Sequence, residues 1–174
     1  MIILGIDPGL ATTGYGVIKK AEPRSELGST TGEGGNLALL DYGVISTPAK
    51  TDFSFRLKLI GDDLKKLIEK YKPEAAAVEK IFFAKNTKTA LDVGQARGVI
   101  LLKIMEANVP VYEFTPLQVK QAVSGYGGAD KKQVQKMVQI ILKLKELPRP
   151  DDAADALAMA IALANSINLI NIKK

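Results

Sequence analysis

The segment 148–167, "PRPDDAADALAMAIALANSI", constrains the fold more than any other part of the chain. Its pattern indicates a helix that is apolar on nearly all sides. Small side chains would let this helix lie unusually close to a sheet, and its alanines are Ala153, Ala154, Ala156, Ala158, Ala160, Ala162 and Ala164. Yet Asp151, Asp152 and Asp155 stand at its start, and Asp152 and Asp155, three residues apart, share one helix face. Carboxylates on a face that must be buried call for a chemical explanation.

The rest of the chain alternates strands and helices. Residues 1–7, "MIILGID", form a short apolar run typical of a central strand covered on both faces. Residues 14–20 and 37–47 indicate two further strands, antiparallel neighbours joined by a spacer (21–36) whose Gly, Ser and Thr content predicts a mobile hairpin loop. The next elements are a helix ending at Pro73, a strand ending at Glu79, a long helix over 87–107, a strand over 109–115 and two helices over 115–144. This order predicts one mixed α/β domain over residues 1–174, with a five-stranded sheet flanked by helices.

Apolar spacing also assigns the buried faces of the helices. The helix ending at Pro73 carries one stripe, formed by Leu57, Ile60, Leu64, Leu67, Ile68 and Tyr71. The helix within 126–144 directs its own apolar residues inward, namely Val134, Met137, Val138 and Ile141. The middle of the long helix, "VILLKIM" (99–105), is apolar nearly all round, so we expect two covered faces. One would pack on the sheet, and a partner subunit could cover the other.

The chain contains no cysteine and no histidine. This excludes disulfides, thiolate zinc sites and cysteine nucleophiles, and it removes the usual general base. Any chemistry must use carboxylates, lysines, hydroxyls and backbone groups, and oxygen ligands favour magnesium or manganese over zinc or copper. The net charge of +5 is weak evidence for a polyanionic partner. Neither a signal peptide nor an apolar run of the roughly 20 residues needed for a membrane span is present, so we expect a cytoplasmic protein.

Four carboxylates are candidates for a shared site. Asp7 ends the first strand and Glu79 the fourth, and ligands of open α/β sheets gather beyond the carboxyl ends of strands. If these strands are neighbours, both acids point into one space, and the alanine-rich helix brings Asp152 and Asp155 towards them. Four unneutralised acids repel each other, and a divalent cation removes that cost. Paired ions about 3.5–4 Å apart stabilise the attacking and leaving oxygens of a phosphodiester displacement.

Each of these residues also has a purely structural interpretation. Asp151, or even Asp152, could cap the helix, which is worth about 1 kcal/mol. Asp7 could open a "DPG" turn, and Glu79 could pair with Lys80 or Lys85. Asp155 lies a full turn inside the helix, beyond capping reach, so capping explains it poorly. Taken together, acids at strand ends and at a buried helix start favour a shared site.

Five segments in order resemble the RuvC-type Holliday-junction resolvases of bacteria: "ILGIDPGLATTGYGVI" (3–18), "VEKIFFAKN" (78–86), "ALDVGQARGVIL" (90–101), "YEFTPLQVKQAVSGYGGADKKQVQKMV" (112–138) and "DDAADALAMAI" (151–161). The resemblance implies an RNase H-like fold and a homodimer that makes two symmetric nicks in a four-way DNA junction. It further implies a role in recombination and DNA repair, ligatable 5′-phosphate and 3′-hydroxyl ends, and the branch-migration proteins RuvA and RuvB as partners. The implied cofactor is Mg²⁺, up to two ions per subunit, with Mn²⁺ able to substitute.

The resemblance also assigns roles by motif. The acids that match the catalytic, metal-binding set are Asp7, Glu79, Asp152 and Asp155, and the spacing "DAAD" selects Asp152 over Asp151. Phe82 matches an aromatic near the junction centre, where stacking on a base is worth about 1–3 kcal/mol; core packing beside Phe83 is the alternative. The lysines that match or adjoin DNA contacts are Lys85, Lys120, Lys131 and Lys132. For any single lysine, a solvated helix surface is the commoner explanation.

Two other functions fit parts of the pattern. An actin-like phosphotransferase also opens with a glycine-flanked aspartate, but it requires two such domains and a second glycine-rich phosphate loop, which 174 residues do not provide. A DNA-binding module of the same fold that cuts nothing would have little reason to keep all four acids. The sequence therefore favours a metal-dependent junction endonuclease.

Overall fold

The computed structural model describes residues 1–21, 37–80 and 87–171 of the chain. The predicted hairpin loop falls almost entirely in 22–36, outside the described residues. Phe82 and Lys85, the two DNA contacts expected between 81 and 86, also lie outside them.

The described residues form five strands and five helices in the predicted order. The strands are β1 (Ile2–Asp7), β2 (Thr12–Lys20), β3 (Leu37–Ser46), β4 (Ala75–Glu79) and β5 (Val111–Phe114). The helices are α1 (Phe53–Tyr71), α2 (Thr87–Glu106), α3 (Pro116–Ser124), α4 (Lys131–Ile141) and α5 (Asp151–Asn171). None of these helices combines the length and apolar character that a membrane span requires.

The strands form one mixed sheet in the order β3-β2-β1-β4-β5. β2 and β3 are antiparallel neighbours, as the sequence predicts. β2 is also antiparallel to β1, whereas β4 runs parallel to both β1 and β5. Ile6 of β1 pairs with Val78 of β4. Asp7 and Glu79 are the next residues of these two strands, so they end side by side at the carboxyl edge of the sheet.

The two faces of the sheet carry separate apolar cores. Along β1, Leu4 and Ile6 pack with α1 and α2, while Ile3 belongs to the core formed with α3, α4 and α5. β4 alternates in the same way. Because side chains of a strand alternate with period two, Asp7 and Glu79 fall on the α5 face.

Helix α5 crosses the α5 face of the sheet in very close contact with its backbone. A Cβ atom added to Gly5 would lie only 2.7 Å from the backbone nitrogen of Ala160, and one added to Gly14 would lie within 3.0 Å of the carbonyl group of Asp152. Ala156 and Ala160 are fully buried there. The alanines and the strand glycines together bring the acidic start of α5 against the end of β1 and the beginning of β2.

Capping residues fix where α3 and α4 begin. Thr115 accepts from the backbone of Gln118 and Asp130 accepts from the backbone of Gln133, and each glutamine side chain bonds back to the cap. These reciprocal bonds satisfy amides that a helix start leaves unpaired. The two caps set the positions of Lys120 and Lys131, the lysines of interest on α3 and α4.

The predicted helix faces are confirmed for α1 and α4. Ile60, Leu64 and Ile68 of α1 are buried, with the rest of the predicted stripe packed partly buried against the same core. On α4, Val134 and Val138 are buried, and Met137 and Ile141 are partly buried beside them.

Helix α2 is covered on one face by the described residues. Ala96, Ile100 and Ile104 are fully buried in the core shared with α1. Leu91, Leu102 and Met105 point the other way, and each is more than half exposed. The part of the chain that the structure describes therefore leaves the second apolar face of α2 exposed, although the sequence predicts that this face is covered.

Candidate active site

Three of the four predicted acids meet in one cavity. Asp7 and Glu79 reach it from the adjacent ends of β1 and β4, and Asp155 reaches it from the first turns of α5. The cavity measures about 290 Å³, and Lys120 of α3 and Lys131 of α4 also line it. Five residues that the sequence proposes for the site thus line one cavity, although they come from five different elements.

Asp7 experiences the strongest electrostatic perturbation of the site. Burial, followed by the negative charges of Glu79, Asp155 and Asp152, raises its pKa to about 8, against a smaller opposing effect of Lys131. A carboxyl group with this pKa carries a proton at neutral pH when no cation is bound. The proton relieves part of the repulsion among the acids.

The two other acids of the cavity show shifts in the same direction. Burial and then the charge of Asp155 raise the pKa of Glu79, and a side-chain hydrogen bond with Asp7 acts in the opposite direction. Burial likewise raises the pKa of Asp155, and its contact with Lys131 partly offsets that effect. All three carboxyl groups are therefore held where negative charge is costly.

Lys131 neutralises part of this negative charge. Its ammonium Nζ lies 3.0 Å from Oδ2 of Asp155 and 3.3 Å from Oδ2 of Asp151. Partial burial opposes the charged form, but the hydrogen bonds and charges of Asp155 and Asp151 outweigh it and raise the pKa of Lys131. Lys131 is therefore held in its charged form against the acids of α5.

Asp151 contacts α4 through its side chain. Its Oδ1 accepts a hydrogen bond of 3.0 Å from Nε2 of Gln135, and its Oδ2 faces Lys131. The Asp151 side chain therefore links α5 to α4, in place of the capping role that the sequence allows. Gln135 and Lys131 lie four residues apart on α4, a spacing that places both on one helix face, but nothing in the sequence pairs that face with Asp151.

Asp152 stands beside the cavity rather than in its lining. It lines an adjoining groove with Lys132, and its charge still raises the pKa values of Asp7 and Asp155. Lys132 also lies in the groove and does not line the cavity. Asp152 and Lys132 therefore lie at the margin of the cavity, whereas the other described residues predicted for the site line it.

Arg97 supports the end of β4 and is a residue that sequence reasoning did not single out. Its Nε donates a hydrogen bond of 3.1 Å to the carbonyl oxygen of Glu79, and its guanidinium group pairs with Glu113 of β5. Arg97 lies in segment 90–101, which carries the family resemblance, but its target is a backbone atom that no side-chain pattern reveals.

The donor chemistry of the cavity suits a hard divalent cation. In residues 1–21, 37–80 and 87–171, no three acidic side chains stand close enough together to hold a metal ion as they are arranged. The acids are nevertheless close enough to raise each other's pKa values, and all of their donors are oxygens, the type that Mg²⁺ and Mn²⁺ prefer. A cation would take over the neutralisation that the proton on Asp7 and the ammonium of Lys131 provide.

Comparison with known proteins identifies the family. The family model described as crossover junction endodeoxyribonuclease RuvC matches residues 3–163, nearly the whole chain. The chain belongs to the RuvC family. The crossover junction endodeoxyribonuclease RuvC of Halothermothrix orenii is 53% identical over 169 residues, which cover 97% of this chain and 95% of that protein. The RuvC protein of Brevibacillus brevis is 51% identical over 174 residues, covering 100% of this chain and 98% of that protein.

Solved structures of the RuvC family share the fold. Thermus thermophilus RuvC in complex with a Holliday junction substrate superposes with a TM-score of 0.86 at 37% identity, covering 97% of this chain and 96% of that chain. The RNase H-like architecture expected from the sequence is thereby confirmed.

Proposed function

We propose that this protein is a Holliday-junction resolvase that makes paired, symmetric nicks in four-way DNA junctions during recombination and repair. One observation carries the proposal: Asp7, Glu79 and Asp155 line one cavity with Lys120 and Lys131, in a chain of the RuvC family. Acids that can hold cations, beside lysines that can hold phosphate, are what phosphodiester cleavage requires.

The proposed catalytic roles rest on position for Asp7, Glu79 and Asp155 and on the motif match for Asp152. Asp7, Glu79, Asp152 and Asp155 would hold Mg²⁺, up to two ions per subunit, with Mn²⁺ able to substitute. Bound there, the cation would neutralise charge on the phosphate and favour deprotonation of the attacking water. Lys120 and Lys131, at the cavity wall, would bind the non-bridging phosphate oxygens.

The proposed reaction is an in-line hydrolysis. A water molecule gives up a proton as its oxygen bonds to phosphorus, the bond from phosphorus to the 3′-oxygen breaks, and the leaving 3′-oxygen takes up a proton. The products are a 3′-hydroxyl and a 5′-phosphate, which a ligase can reseal. The charged Lys131, held by Asp155 and Asp151, lies at the cavity wall and would stabilise negative charge as it develops on the phosphate.

A homodimer forms part of the proposal, because a two-fold symmetric junction offers two equivalent strands. The exposed face of α2 supports it: Leu91, Leu102 and Met105 recur at helical spacing, and a Cβ atom on Gly94 or Gly98 would meet nothing within 4 Å in the described chain. An apolar patch of this kind marks an interaction surface. The proposal also includes DNA contacts by Phe82, Lys85 and Lys132. It further includes RuvA and RuvB as partners and a cytoplasmic location.

Cleavage of a synthetic four-way junction tests this function. The purified protein is incubated with the junction and with a linear duplex of the same sequence, each with Mg²⁺ and with EDTA. We expect symmetric nicks in two opposing strands of the junction, dependent on Mg²⁺, and no cleavage of the duplex. Tight junction binding without nicks under Mg²⁺ or Mn²⁺ would instead identify a binding module and contradict the proposed activity.

A further inference from the structure

Helix α4 carries positive charge that the described residues do not neutralise. It contains three lysines and no acid, and only Lys131 is held in ion pairs, with the acids of α5. Lys132 and Lys136 form no ion pair within residues 1–21, 37–80 and 87–171. On α1, by contrast, lysines pair with acids of their own helix: Lys58 with Asp62, Lys65 with Glu69 and Lys66 with Asp63.

Two grooves lie along this helix and share two of its lysines. One is lined by Tyr126 and Asp130 together with Lys132 and Lys136, and the other by Lys132 and Lys136 together with Arg149 and Asp152. Lys132 and Lys136 line both grooves, and we call the two together the α4 groove. It extends from Tyr126, a residue that is 69% exposed, to Arg149 beside the start of α5.

The acids along the α4 groove are mostly engaged elsewhere. Asp130 caps α4 by accepting a hydrogen bond of 2.8 Å from the backbone nitrogen of Gln133. Asp151 bonds to Gln135 and Lys131. Asp152 stands at the end nearest the catalytic cavity, where the cation is proposed to bind. Three cationic side chains, Lys132, Lys136 and Arg149, remain available to a ligand.

The cationic side chains of the groove, and its position beside the cavity, suit a polyanion that extends out of the cavity. Lys132 and Lys136 lie one helical turn apart, about 6 Å along the axis. Unpaired cations in a row beside a phosphate-cutting site match the sugar–phosphate backbone of DNA, which is bound chiefly through such contacts. The exposed ring of Tyr126 adds a flat apolar surface at the far end.

We propose that the α4 groove binds the sugar–phosphate backbone of the junction arm that leaves the catalytic cavity, with Lys136 and Arg149 as phosphate contacts. The inference rests on the proposed function, since it assigns a path to the DNA of that same site. It adds two residues, Lys136 and Arg149, to those that the family resemblance indicates.

The test measures how salt affects junction binding. A synthetic four-way junction is titrated with the intact chain and with the double variant Lys136→Gln/Arg149→Gln, in EDTA, at several salt concentrations. Each lost phosphate contact reduces the slope of log K against log salt by about 0.9, so we expect a slope shallower by about 2. At 0.1 M salt, binding should weaken by about 10- to 100-fold.

The matched control is Lys58→Gln/Lys66→Gln, which removes the same amount of charge from exposed positions on α1. It should leave the slope unchanged, and thermal unfolding should show that both variants are folded. Equal slopes for all three proteins, or equal losses in the two variants, would overturn the groove assignment while leaving the proposed function intact. Absence of junction binding by the unaltered chain would overturn the proposed function, and the groove assignment with it.

Discussion

Replacing Asp7 with asparagine should strongly slow junction cleavage and, in the absence of cations, make the protein more stable at pH 8. Cleavage should fall by roughly 10²–10³-fold or more, the loss typical when one electrostatic contributor to the transition state is removed. Stability should rise because burial and three neighbouring acids hold the pKa of Asp7 at about 8. Its ionised form therefore destabilises the folded state.

The pH dependence of this effect follows from linkage. Between about pH 4 and pH 8 the folded chain keeps the proton on Asp7 and the unfolded chain has lost it, so the stability of the cation-free protein falls as pH rises. Asparagine does not titrate, and the variant lacks this decline. The pKa rises from its usual value of 3.8 to about 8 and each pKa unit corresponds to about 1.4 kcal/mol, so we expect a gain of about 5 kcal/mol at pH 8 and almost none near pH 4.

Urea unfolding in EDTA at pH 4.5 and pH 8 measures the difference. Asp63→Asn is the matched control, because Asp63 is an exposed carboxylate of α1 that pairs with Lys66. Mg²⁺ should stabilise the unaltered protein and the control, but the Asp7→Asn variant much less, since a ligand of the folded state stabilises it by mass action. A variant no more stable than the unaltered protein at pH 8 would contradict the electrostatic description of the site.

Replacing Gly14 with alanine should destabilise the protein, because β2 and the backbone of α5 leave no room for a methyl group there. The new Cβ atom would lie within 3.0 Å of the carbonyl oxygen and carbon of Asp152 and 3.1 Å from the backbone nitrogen of Ala153. All of these are backbone atoms, so the start of α5 must move away from β2. Overpacking of this kind costs about 1–3 kcal/mol, and the upper end is expected here.

The same displacement should reduce cleavage, because Asp152 and Asp155 move with the helix. Gly43→Ala on the neighbouring strand is the control: its Cβ atom would meet mainly the far end of the Tyr15 side chain, at 2.9 Å from Oη. That side chain can shift, so the control should lose less than about 1 kcal/mol. Equal stability and equal cleavage rates in the two variants would contradict the close approach of α5.

The sequence predicted the fold correctly in segments with a clear pattern of apolar residues. Continuous apolar runs identified β1, and apolar spacing identified the buried faces of α1 and α4, because burial selects the same periodicity that sequence displays. The alanines of α5 indicated a close contact with the sheet. The site was predictable for Asp7 and Glu79, since adjacent parallel strands end at one edge, and for Asp155, which capping could not explain.

Other features depend on contacts between segments that sequence spacing does not encode. The local pattern around Asp151 shows only its own helix and therefore allows a cap, whereas its partners Lys131 and Gln135 lie on α4. Arg97 reaches a backbone carbonyl of another element. The position of Asp152 at the cavity margin depends on how α5 packs on β2, where Gly14 lies against the carbonyl group of Asp152.

The most direct test of the proposed active site compares Asp155→Asn with Asp151→Asn in junction cleavage under Mg²⁺. Both aspartates contact Lys131 from the start of α5, but only Asp155 lines the cavity. We expect Asp155→Asn to slow cleavage by about 100-fold or more while junction binding is retained, and Asp151→Asn to stay within about 10-fold of the unaltered protein. Cleavage that survives in Asp155→Asn, or falls equally in both variants, would contradict a catalytic centre built from β1, β4 and the start of α5.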